Sequence, residues 1–142
     1  MPSIGPWICD RCGSEIASEA DGYVIAKTVP GDAVYHGFKI IHQGRCDDKS
    51  YGSSWALTDF VGIDGLSRLL AFLSIGPFML AGAQTGSPPM IADIDEFTDF
   101  VRRVQVPGYE RARCLFSDPD VQGRFSDASE YYPYMQEVLR AI

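Results

Sequence analysis

The chain has 142 residues, 46% of them apolar and 22% charged, the make-up of one globular domain that can bury a core without disulfides. Twelve Lys and Arg stand against nineteen Asp and Glu, a formal net charge of −7. That balance argues against nonspecific nucleic-acid binding and against an anionic membrane surface, both of which depend on meeting phosphate with positive charge. The apolar fraction excludes global disorder.

Before Cys9 there is neither a basic region nor an apolar run, so no targeting segment is expected and the protein reads as cytoplasmic. The four cysteines are Cys9, Cys12, Cys46 and Cys114. In that setting grouped cysteines point to metal or redox chemistry more than to disulfides. Cys9-Asp10-Arg11-Cys12-Gly13 is a C-x2-C turn closed by glycine. His42-Gln43-Gly44-Arg45-Cys46 gives an H-x3-C pair with glycine inside. Together they form a Cys3His set suited to tetrahedral Zn2+.

The intervening chain supports this pairing. Gly22–Thr28 and Ala33–Ile41 are rich in β-branched and aromatic residues, with a turn signal at Val29-Pro30-Gly31-Asp32, the pattern of a β-hairpin. A hairpin returns its far end to its start, where His42 and Cys46 can meet Cys9 and Cys12. Over residues 7 to 50 the chain resembles the zinc-ribbon and treble-clef group of zinc modules, on the strength of these four residues. The resemblance implies a way of building a fold around zinc, with no single function attached.

His36 is the rival fourth ligand. In an unbroken strand Val34, His36, Phe38, Ile40 and His42 alternate onto one face. The short loop to Cys46 favours His42. A thioredoxin-type reading of Trp7–Cys12 needs a strand before the motif and a helix after it, and the glycines and strand pattern that follow disfavour it. Cys114, beside Arg111 and Arg113, reads as a buried apolar cysteine on a helix.

Helical spacing begins near Ser54. Ser54 is expected to cap a helix ending at Gly62, and Asp64 a second one with Leu66, Leu69, Leu70 and Leu73 on its inner face. Gly76-Pro77 closes it. The apolar run Leu69–Ala83 is too short and too broken for a membrane span, which takes about 20 residues. A connection is expected at residues 82–89. A third helix starts at Asp93 or Asp95 and runs to Gln105, with Ile94, Phe97, Val101 and Val104 inward. A fourth follows Pro107 and carries Tyr109, Ala112 and Phe116. Ser117-Asp118-Pro119 opens a short helical turn, and Pro133–Arg140 is the last helix. Tyr131–Tyr134 is an aromatic cluster leading into it.

Arg102, Arg103, Arg111 and Arg113 are the densest basic group, a possible contact for an anion or a partner. The blander reading pairs them with Asp99, Glu96 and Glu110 on solvated faces. Asp93, Asp95, Glu96 and Asp99 fit the acidic first turn of a helix. No nucleotide-binding glycine loop, nucleophile elbow or metalloprotease helix is present.

The expected fold is therefore α+β, a single domain over residues 1–142. A zinc-bound β-hairpin module (1–50) packs on an all-helical part (51–142). The zinc is structural, and the protein is noncatalytic, serving a protein partner or a small ligand. Two other readings are a transcription-associated regulator contacting nucleic acid through the arginines, and an enzyme with a carboxylate-based pocket.

Overall fold

The computed structural model describes residues 4–28, 34–74, 76–79 and 89–122. The two β-rich segments pair as expected. β3 (Gly22–Thr28) runs antiparallel to β4 (Tyr35–His42), with Gly22 opposite His42 and Tyr23 opposite Ile41. Ahead of them β1 (Trp7–Ile8) and β2 (Glu15–Ile16) form a separate two-stranded ribbon. The turn at Val29–Asp32, the aromatic cluster and the last helix lie outside the described residues, as does the 82–89 connection apart from Pro89.

The helix expected from Ser54 is not formed. Ser53–Ala56 is a strand, β5, which pairs antiparallel with β3 and gives the sheet order β4-β3-β5. Leu57–Asp59 adds one 3-10 turn. Local propensity yields here to tertiary pairing: β3 is buried at Val24, Ile25 and Ala26, and its second edge needs backbone partners. Trp55 then packs edge-on against Tyr35 and Phe60. The architecture is α+β, and the part after residue 50 gives the sheet a strand before turning helical.

α1 (Gly62–Leu73) starts at Gly62, two residues before the expected cap at Asp64, and has no side-chain cap. Its buried face is Gly65, Leu69 and Phe72, while Leu70 is 53% exposed. Phe72 brings more apolar surface inward than the leucine stripe would, and Gly65 permits the approach. A Cβ at Gly65 would collide with the main chain of Phe60.

α2 (Ile94–Gln105) matches expectation, with the Asp93 carboxylate accepting from the N–H groups of Asp95 and Glu96. Its inward residues are Phe97, Phe100, Arg103 and Val104; Ile94 is exposed. α3 (Tyr109–Arg113) stops short of Phe116, and α4 (Pro119–Gln122) follows the expected cap at Asp118. The core lies between the sheet and α1–α2. Phe38 stacks on Phe100 at 4.9 Å between ring centroids, and Phe72 meets Phe38 and Tyr35 edge-on at 6.0 and 5.5 Å.

Gly65→Ala is expected to lower stability by about 1–3 kcal/mol through overpacking. Ile63→Ala, at a side chain 80% exposed, should change it by less than about 0.5 kcal/mol. Urea unfolding compares the two; equal midpoints would contradict this packing.

Candidate metal centre

The first ligand pair sits at the tip of the β1–β2 ribbon. Cys9 N–H donates to the Ser14 carbonyl and Gly13 N–H to the Cys9 carbonyl, both at 2.9 Å. This tight reversal needs the left-handed conformation of Gly13, at φ 77°, which glycine adopts without steric cost. Arg11 N–H then faces Cys9 Sγ at 3.4 Å. The second pair follows the end of β4, where Gly44 at φ 82° turns the chain so that Cys46 comes back beside His42.

One ligand atom from each of Cys9, Cys12, His42 and Cys46 lies within 4.8 Å of all the others, and together they can hold a metal ion. His42 Nδ1 is 3.4 Å from Cys12 Sγ and 3.7 Å from Cys46 Sγ. Tetrahedral zinc with bonds of about 2.3 Å to sulfur and about 2.1 Å to nitrogen has N···S edges of about 3.6 Å. On its other side His42 Nε2 lies 3.0 Å from the Glu15 carbonyl. A carbonyl only accepts, so Nε2 carries a proton, which leaves Nδ1 as the nitrogen that would offer its lone pair to a metal when the ring is neutral.

The electrostatics favour thiolate at two of the three sulfurs. Ser14 Oγ and Arg45 Nη2, at 3.0 and 3.5 Å from Cys12 Sγ, lower the Cys12 pKa to about 5. Burial works against the Cys9 thiolate, but the N–H groups of Cys12 and Arg11 outweigh it and its pKa falls. Burial pushes the Cys46 thiol up. The hydrogen bond to Glu15 raises His42, with burial opposing.

His36 stands apart from the cluster, for a reason in the strand. Gly37 at φ 67° forms a bulge opposite β3. Tyr35 and Phe38 both reach Phe72, although an unbroken strand would put them on opposite faces. The bulge therefore reverses the alternation, and His36 loses the common face with His42. Glu96 accepts from the Gly37 and Phe38 N–H groups that the bulge leaves over.

The arginines have separate fates. Arg103 is 2% exposed, an internal group and not a surface contact. Its Nε and Nη2 donate to the two oxygens of Glu110 and its Nη1 to Asp10 Oδ2, all at 2.7 Å. Arg113 pairs with Asp99 at 2.9 Å, as the sequence suggested. Arg111 is exposed, and Arg102 is half-buried in the last turn of α2. Cys114, expected to be buried, is exposed, with its S–H donating to the Glu110 carbonyl.

The Arg103–Glu110 pairing was expected from the sequence, but as a solvated pair and not a buried one; Asp10 was not expected as a partner. Asp10 lies inside the C-x2-C turn, and besides Arg103 it binds Ile40 twice, N–H to carbonyl at 2.8 Å and carboxylate to N–H at 2.7 Å. Glu110 accepts from Ile8 N–H, and Arg103 donates to the Ile8 carbonyl. Both neighbours of Cys9 are thus anchored from α2, α3 and β4. No family profile, curated protein or solved structure matches this chain. Among the described residues no helix is long and apolar enough to cross a membrane.

Asp10→Ala is expected to weaken Zn2+ binding about 10–100-fold in competition with a chelator, the usual cost of losing an outer-shell anchor. An unchanged affinity would mean that the knuckle is set without Arg103. In metal-free protein Cys12 should be alkylated first. Its lowered pKa keeps it reactive at pH 6, with the rate falling as pH drops through about 5, because the thiolate is the nucleophile. Peptide mapping after brief iodoacetamide treatment reads this out; Cys46 reacting first would contradict it.

Proposed function

We propose that the chain is a structural zinc protein of the zinc-ribbon or treble-clef kind. Zn2+ is held by Cys9, Cys12, His42 and Cys46, and the protein serves as a noncatalytic module for a protein partner or a small ligand. The observation that carries this reading is the convergence of four ligand atoms within 4.8 Å from pairs thirty residues apart. Sulfur-rich donors with one imidazole suit zinc. Four protein ligands close the tetrahedral shell and leave no position for an activated water. Removal of Arg103 from the surface, together with a net charge of −7, weighs against a regulator gripping nucleic acid through the four arginines.

Purified protein should carry one zinc per chain by elemental analysis. His42→Ala should lose it and His36→Ala should keep it. Chelation should lower the melting temperature by more than about 10 °C, since metal binding free energy is folding free energy in such modules. A chain without zinc, or one whose melting ignores chelation, would overturn the proposal.

A further inference from the structure

Beside the β1–β2 ribbon lies a cavity of about 400 Å³, inside the range of small-molecule sites. Its apolar wall is Ile4, Pro6 and Ile8, and its other walls come from β2 and α3. Ile8 is 37% exposed there, a large aliphatic side chain that the core does not cover.

The polar groups around the cavity divide into committed and open. Glu110 is committed, because Arg103 and Ile8 N–H occupy its carboxylate. The Cys114 thiol donates to the Glu110 carbonyl. Glu15 and Arg111 are open: among the described residues neither side chain has an ion-pair partner, and both residues line this cavity from different elements.

We infer that this cavity binds a small zwitterion with an apolar body, an α-amino acid with a hydrophobic side chain. Arg111 takes the carboxylate and Glu15 the ammonium, while the side chain lies on Ile4, Pro6 and Ile8. Charge selects this class. A plain carboxylate would meet Arg111 but leave Glu15 beside a second negative charge, in a protein already at −7. A plain amine would leave Arg111 without an anion. A zwitterion is neutral at long range and answers both groups at contact. The inference rests on the small-ligand arm of the proposed function and not on the zinc.

The test uses the full chain, with zinc content measured on the same sample. L-Leucine is titrated by calorimetry against 4-methylpentanoate and 3-methylbutylamine, which keep its body and one charge each. Leucine is expected to bind and to slow Cys114 alkylation, with each analogue at least about tenfold weaker. Glu15→Gln should weaken leucine about tenfold while strengthening 4-methylpentanoate, and Arg111→Gln should weaken leucine while strengthening the amine, since each substitution removes a like charge from beside that analogue. A merely damaged fold would not produce that reciprocal pattern. Absence of saturable leucine binding up to about 10 mM, equal binding of either analogue, or indifference to both substitutions would overturn the inference. In each of those outcomes a zinc content of one per chain leaves the metal proposal standing.

Discussion

Arg103 carries a charge that no protein environment discharges, and it lies 2% exposed at the junction of the ribbon, β4, α2 and α3. A buried cation is tolerated only when anions and hydrogen-bond acceptors surround it. Here Glu110 meets it with both oxygens and Asp10 with one, while the Ile8 carbonyl takes a remaining N–H. Its own backbone carbonyl accepts from the Trp7 indole at 2.9 Å. This one residue joins the beginning of the chain to its helices across more than ninety positions. Among the described residues no buried side-chain nitrogen or oxygen is left without a partner.

The same junction brackets Cys9. Ile8 is held at N–H and carbonyl, Asp10 at N–H and carboxylate. The knuckle therefore does not depend on metal alone for its shape. Preorganised ligands lose less conformational entropy on binding, so α2 and α3 would favour a metal at this site although neither offers a ligand atom to the cluster. The His42 ring is fixed in a comparable way by the Glu15 carbonyl from the ribbon's second strand.

What the sequence made legible was local. C-x2-C and H-x3-C with their glycines, the β-branched and aromatic residues of β3 and β4, and the Asp93 cap of α2 are all written within a few residues. Contacts that depend on distant partners were not legible. Trp55 and Ala56 were expected in a helix capped by Ser54, because the strand character of Ser53–Ala56 comes from the open edge of β3. The leucines of α1 suggested one face, and Phe72 with Gly65 selected another. Arg103 sat among three other arginines with nothing nearby to mark it as buried; only the fold brings Asp10 to it. The glycine at 37 could have warned that His36 and His42 do not share a face, since a glycine inside a strand often marks a bulge.

In the arrangement proposed for Cys9, Cys12, His42 and Cys46, three thiolates and one imidazole nitrogen close around a single zinc. X-ray absorption at the zinc edge of the purified protein tests it most directly. A first shell of three sulfurs at about 2.3 Å and one nitrogen at about 2.0–2.1 Å, with the imidazole outer-shell signature, is expected. A shell of oxygen and nitrogen alone, or one with two sulfurs and a bound water, would contradict it.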